Sequence, residues 1–150
     1  ISKIENIEKV LKNLNLKKVD KDQYYKKSFD LGIPQVNLNK LKDKIFGIEN
    51  NLDELNGIDF KKGCYIGQEN TARMKLKNKL RKRLLPIRTD QNLNVGDELK
   101  YNNSIIGKIL IDQPMPFALI NLFGPDITEF GDKEIFINDK KVKVINFQFL

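Results

Sequence analysis

Residues 99–111 read LKYNNSIIGKILI, two short apolar runs on either side of the pair Asn102-Asn103. Asparagine adopts the positive backbone angles of a two-residue turn more readily than most residues, so this stretch predicts a β-hairpin. Similar short apolar runs, separated by turn residues, occur on both sides of it, at 84–87, 117–123, 134–137 and 142–149. Five or six short strands at regular spacing are typical of a small antiparallel β-barrel.

The residues before these strands follow a different pattern. Ser2 and Glu5 have the spacing of a capping box, and the apolar residues of 3–14 fall on one helical face. This predicts an amphipathic helix that packs on the core. A short strand is expected at 26–30, closed by the segment 31–34, where Pro34 disfavours the α conformation of Ile33.

The change of pattern near residue 83 predicts the organisation of the chain. Residues 1–83 are expected to form an α/β segment, and residues 84–150 a small antiparallel β-barrel. The predicted fold class is therefore α+β. A chain of 150 residues is long enough to bury a core without disulfide bonds.

The composition limits the chemistry that this chain can perform alone. It has 27 Lys and Arg against 20 Asp and Glu, one cysteine and no histidine. One thiol without histidine excludes an internal disulfide, a Cys–His or Ser–His–Asp catalytic unit, and a zinc or iron–sulfur site built from this chain only. Lysine supplies 23 of the 27 cations, and Asn and Ile are abundant too, which indicates an AT-rich genome rather than an anionic partner.

The expected location also follows from composition. No apolar run approaches the roughly 20 residues that span a bilayer, so no membrane partner is expected. No secretory signal or transit peptide is visible, and a lone cysteine is typical of a reducing compartment. A bacterial cytoplasmic location is therefore expected, with the mitochondrial matrix as the less favoured alternative.

The segment 60–69, FKKGCYIGQE, contains the only thiol. Cys64 follows two lysines and precedes a predicted helix that runs toward Met74. Nearby cations and the positive end of a helix dipole both favour the thiolate, which is the reactive form of cysteine. A simpler interpretation competes with this one, because many free cysteines are small residues packed in a turn.

Residues 62–69 resemble the K-G-C-Y-x-G-Q-E signature of the YgfZ family. These proteins are folate-binding relatives of the glycine-cleavage T-protein, and a mitochondrial branch acts in iron–sulfur assembly. Flanking features resemble the family too: DLGIP at 30–34, ENNLD at 49–53, Arg73, Gly96 and Gly107. The chain departs from the pattern at Gly47-Ile48, where the family has a proline. It also resembles only the C-terminal half of a full member.

The resemblance implies a function for the whole segment. It implies a T-protein-like fold and a folate-linked accessory factor that supports assembly or repair of iron–sulfur enzymes, including those that thiolate tRNA. Cys64 would be the functional thiol, as a mixed disulfide, a persulfide or one ligand of a cluster shared with a partner. Glu69 would accept a hydrogen bond or a proton near Cys64, or cap backbone amides. The other motif residues would surround the thiol: Lys62, Gly63, Tyr65, Gly67, Gln68 and Arg73.

The resemblance also implies a cofactor and partners. Tetrahydrofolate or a derivative would contact Glu49 and Asn51, with weak binding in this chain because the N-terminal half of the family supplies most of the folate pocket. The implied partners are iron–sulfur assembly proteins or client enzymes. The oligomeric state stays open.

Two other functions are compatible with the sequence. One is a tetrahydrofolate-dependent aminomethyltransferase of the T-protein type, although that branch lacks the K-G-C-Y signature. The other is an RNA-binding module, or a site for another anion, at 73–83, RMKLKNKLRKR, which has seven basic residues in eleven. This run has no interleaved aromatic residues to stack on bases, and a linker with solvated lysines explains it equally well.

Overall fold

The computed structural model describes residues 4–63, 66, 68–76, 80–138 and 140–146. The helices and strands follow one another along the chain in this order: α1 (Ile4–Asn13), α2 (Lys21–Asp30), a 3₁₀ helix (Leu38–Leu41), α3 (Gln68–Leu76), β1 (Lys82–Arg88), β2 (Glu98–Tyr101), β3 (Ser104–Ile111), β4 (Phe117–Asn121), α4 (Ile127–Phe130), β5 (Glu134–Ile137) and β6 (Lys140–Val144).

The six strands form a closed antiparallel barrel in the order β1-β4-β3-β2-β5-β6, and β6 pairs back with β1. Among the six described strands, closure leaves no edge open to pair with another chain. The predicted fold class, α+β with a small antiparallel β-barrel, is confirmed. The division of the chain at residue 83 into two units stays a prediction.

The turn between β2 and β3 has the geometry that its sequence predicts. Asn102 and Asn103 have φ angles of 47° and 63°, and Tyr101 pairs with Ser104 across the turn. Both central residues of a type I′ turn need positive φ, which asparagine tolerates better than other side-chain-bearing residues. The local sequence therefore sets the pairing next to the turn, and the register shifts farther along, between Leu99 and Lys100.

Gly107 lies in β3 where β4 approaches most closely. A Cβ atom at this position would lie 2.7 Å from Ile120 Cδ1 and 2.8 Å from the Leu119 carbonyl oxygen. The backbone oxygen belongs to a paired strand and cannot move away without breaking the pairing. Glycine is therefore required here by packing between the two strands.

Apolar side chains fill the inside of the barrel. Its buried cluster includes Leu85, Ile87, Leu99, Ile106, Ile109, Ile120, Phe130, Ile137, Val142 and Val144. Burying such side chains is the main favourable contribution to folding. The barrel interior thus provides the rigid base on which the rest of the chain is arranged.

A second buried cluster attaches the helical segment to the barrel. Leu84 and Phe117, on neighbouring strands, pack with Leu41 of the 3₁₀ helix. The ring of Phe29, from α2, meets the ring of Phe117 edge to face, with centroids 5.4 Å apart and planes at 82°. Strand β1 is buried on both faces, because one face lines the barrel and the other lies beneath this cluster.

The expectation of a strand at 26–30 is wrong, because these residues form the second half of α2. Asp20 caps this helix by accepting a hydrogen bond from the Gln23 backbone N–H at 2.7 Å. Such a cap satisfies one of the free amides of the first turn, and it favours a helix start where the apolar pattern is too short to decide. Pro34 lies beyond the end of the helix and does not oppose it.

Helix α1 forms as predicted, but its expected packing on the core is wrong. Its apolar residues Ile7, Val10 and Leu11 remain 41–55% exposed. An amphipathic pattern shows which residues share one face of a helix. It does not show what that face packs against, because the partner is set by the tertiary structure. Within the described residues, no helix has both the length and the apolar character needed to cross a membrane.

Candidate functional site

Residues 60–76, called here the motif segment, begin in an exposed loop and end in helix α3. Lys62, Gly63 and Ile66 are exposed, and the helix begins at Gln68 and ends at Leu76. This confirms the helix that the sequence predicts after the motif. Three motif residues, Cys64, Tyr65 and Gly67, lie outside the residues that the structure describes.

Two of the predicted site residues form an ion pair on the first turns of α3. Arg73 Nη2 lies 3.1 Å from Glu69 Oε1, and both side chains are mostly exposed. Glu69 also lies in the first turn of the helix, where a carboxylate is favoured by the helix dipole. An exposed pair at this spacing contributes about 0.3–0.5 kcal/mol. The proposed action of Glu69 on Cys64 stays a prediction.

Lys75 makes two contacts that the sequence did not indicate. Its Nζ lies 2.7 Å from Asp53 Oδ1 and 4.2 Å from the centre of the Phe60 ring. Phe60 lies two residues before Lys62, and Lys75 lies in the last turn of α3. One ammonium group therefore connects the two ends of the motif segment. In the sequence Lys75 is one of several alternating lysines, and no local signal separates it from them.

A cavity of about 490 Å³ lies between the two ends of the motif segment. Its walls come from the loop before the motif and from α3, and they include Asp53, Ile58, Phe60, Ala72, Lys75 and Leu76. This volume is within the range of small-molecule pockets. The motif segment is thus bordered by a partly apolar recess rather than by a flat surface.

Glu49 and Asn51 attach the loop before the motif to the barrel. Asn51 is fully buried, and its Nδ2 donates a hydrogen bond to the Leu84 carbonyl oxygen at 3.0 Å. The Leu84 N–H donates in return to the Glu49 carbonyl oxygen at 2.8 Å. The Glu49 carboxylate accepts a hydrogen bond from the Phe46 N–H at 2.9 Å, and Glu49 is 8% exposed. Together these bonds fix the loop on strand β1.

These contacts bear on the implied folate site. Asn51 has a φ of 60°, so an asparagine is suited to this position by its backbone angle as well as by its buried amide. The Asn51 Nδ2 and the Glu49 carboxylate bond the chain itself, whereas the buried Asn51 Oδ1 has no hydrogen-bond partner among the described residues. The bonds indicate a structural role for both side chains, and their role as ligands of tetrahydrofolate stays a prediction.

Substitution Asn51→Asp tests this structural role. The carboxylate cannot donate to the Leu84 carbonyl, so we expect the free energy of unfolding at pH 7 to fall by about 2–3 kcal/mol. The loss should shrink at pH 4, because a protonated carboxyl regains a donor. Urea unfolding measures both values. Asn56→Asp is the matched control, since Asn56 lies in the same loop with φ of 56° and an exposed side chain. Equal losses in the two variants would contradict the role given to the Asn51 amide.

The basic run 73–83 is not an uncompensated row of cations. Lys75 pairs with Asp53, Arg73 pairs with Glu69, and Arg83 forms a largely buried ion pair with Glu54. Residues 77–79 lie outside the described part of the chain. An anionic ligand at 73–83 therefore stays a prediction, and part of the local charge is already balanced by carboxylates.

Comparison with known proteins identifies relatives over part of the chain, although no protein-family model matches it. The chain is 46% identical over 63 residues to the "Iron-sulfur cluster assembly factor IBA57 homolog, mitochondrial" of Neurospora crassa, which is 42% of this chain and 14% of the relative. It is 39% identical over 71 residues to the mouse protein "Iron-sulfur cluster assembly factor IBA57, mitochondrial", 47% of this chain and 20% of the relative. The homologue of Aspergillus oryzae is 32% identical over 94 residues, 61% of this chain and 20% of the relative. The chain spans only 14–20% of the length of these relatives.

The expected bacterial cytoplasmic location is wrong. The relatives from two fungi and from mouse are all named as mitochondrial proteins. A lone cysteine is typical of a reducing compartment, and it does not distinguish one such compartment from another.

The relatives and the motif agree with each other. The signature at 62–69 predicts a resemblance to the YgfZ family, and proteins named as mitochondrial iron–sulfur cluster assembly factors match up to 61% of the chain. The predicted resemblance is therefore confirmed: over the matched residues, this chain is similar to proteins named as mitochondrial iron–sulfur cluster assembly factors.

Proposed function

We propose that this chain acts in the assembly or repair of iron–sulfur enzymes in mitochondria. The observation that carries the proposal is its identity of 32–46% with proteins named as mitochondrial iron–sulfur cluster assembly factors. Enzymes that thiolate tRNA are included among its proposed clients, because the resemblance to the YgfZ family implies them.

We further propose Cys64 as the functional thiol. In the sequence it lies two residues after Lys62 and four residues before the start of α3 at Gln68. Cations and a helix N-terminus both favour the thiolate, which is the form that attacks sulfur and binds iron. One thiol cannot hold a cluster alone, so the remaining ligands would come from an assembly protein or from the client enzyme.

The proposed function does not include a step that uses folate. The Glu49 carboxylate and the Asn51 Nδ2 make hydrogen bonds within the chain, which supports a structural role for both residues. The link to tetrahydrofolate rests on the resemblance to the family, and the arrangement of these two residues does not add to it.

Gene deletion tests the proposed function. We expect loss of the gene to lower the activity of a mitochondrial 4Fe–4S enzyme several-fold, and expression of the wild-type gene to restore it. An enzyme of the same compartment that contains no cluster serves as the control and should not change. If both enzymes keep full activity after deletion, or if both decline equally, the proposed function is wrong.

A further inference from the structure

Three segments of the chain meet at the ammonium group of Lys75. The lysine itself belongs to α3, which follows the motif. Asp53, at 2.7 Å, belongs to the loop that precedes the motif, and the Phe60 ring, at 4.2 Å, belongs to the residues that lead into it. Lys75 thereby joins Phe60, which precedes the motif, to the helix that follows the motif, and joins both to the loop around Asp53.

The contact between Lys75 and Asp53 also connects the motif segment to the barrel. Asp53 lies two residues after Asn51, whose buried amide is bonded to the Leu84 carbonyl of β1. The loop around Asn51 is also held by the Leu84 N–H, which donates to Glu49. A contact to Asp53 is thus a contact to a part of the chain that is fixed on strand β1.

Both contacts require a cation with a long side chain. The carboxylate of Asp53 attracts a positive charge, and the face of the Phe60 ring attracts it as well. The two side chains of the ion pair are 47% and 26% exposed, for Lys75 and Asp53 respectively. Ion pairs of this exposure contribute little to overall stability, so their effect is expected in local order rather than in global unfolding.

We propose that Lys75 is a positioning residue of the motif: its ammonium group, bound to Asp53 and placed over the Phe60 ring, holds the two ends of the motif segment together on the barrel. The proposal deepens the proposed function and rests on it for what the motif does. Arginine can make the same two contacts, whereas methionine keeps the apolar stem of the side chain and loses both.

Hydrogen exchange of this chain tests the closure directly. In Lys75→Met we expect the amides of 60–76 to exchange roughly three to ten times faster than in the wild type, with unchanged exchange in the barrel strands. Lys75→Arg should keep the wild-type rates. Asp53→Asn removes the charge of the partner and should act like Lys75→Met. Lys42→Met is the control, since it removes the same charge from an exposed position.

Salt and function provide independent readouts. Raising the ionic strength to 1 M should speed exchange of 60–76 in the wild type and reduce its difference from Lys75→Met, because salt screens exposed charges.

In the rescue assay, Lys75→Met should restore less 4Fe–4S enzyme activity than the wild type, and Lys75→Arg should restore it fully. Unchanged exchange of 60–76 in both Lys75→Met and Asp53→Asn, or full rescue by Lys75→Met, overturns the positioning role. A deletion strain without an iron–sulfur defect would instead refute the proposed function, and the exchange rates would still decide whether Lys75 closes the segment.

Discussion

Substitution Cys64→Ala is expected to abolish the rescue of a 4Fe–4S enzyme in cells that lack the endogenous gene. Cys64 is the only cysteine of the chain, and histidine is absent, so no other side chain here can supply a thiolate or an imidazole ligand. The enzyme activity should fall to the level of the deletion strain. The measurement is the activity of the enzyme in mitochondrial extracts, with the amount of each variant determined by immunoblot.

Two comparisons make the result specific to the thiol. Cys64→Ser keeps a small polar side chain of nearly the same shape and loses the thiolate at neutral pH, so it should also fail to rescue. Equal abundance of the variants separates lost chemistry from lost folding. If both variants restore full activity at normal abundance, Cys64 is a packed residue, and the functional group must be sought among the other motif residues.

Substitution Phe117→Ala is expected to cause a large loss of stability, about 3–5 kcal/mol in the free energy of unfolding. The side chain is 2% exposed and lies in the cluster that joins strand β4 to Leu41 of the 3₁₀ helix. Its ring also contacts Phe29 of α2 at 5.4 Å. The substitution would leave a cavity at the junction between the barrel and the helical segment, so the packing of each against the other should weaken.

Urea unfolding followed by circular dichroism measures this loss. Phe136→Ala is the matched control, because the Phe136 side chain on β5 is 58% exposed. We expect this control to stay within about 0.5 kcal/mol of the wild type. Similar losses in the two variants would show that Phe117 does not hold the junction in the way described.

The barrel strands and the family resemblance could be predicted from the sequence alone. The apolar runs and the turn at Asn102-Asn103 predict the strands, because strand length and turn angles depend on residues close together in the chain. The signature at 62–69 predicts the relatives for a similar reason, since it is a contiguous string. Helix α2 stands where a strand was expected at 26–30, although its N-cap, Asp20, is a local signal for a helix start.

Only the tertiary structure decided what surrounds the motif. Asn51 and Leu84 are 33 residues apart and Lys75 and Asp53 are 22 apart, so no local pattern marks either pair. Gly107 is recognisable in the sequence as a glycine of the family. The reason that glycine is required there is the approach of β4, which exists only in the folded sheet. Local backbone preferences are set by neighbours in the chain. The partners of a buried amide or of an ammonium group are set by how the chain packs against itself, and that physical difference separates the strands that could be predicted from the contacts that could not.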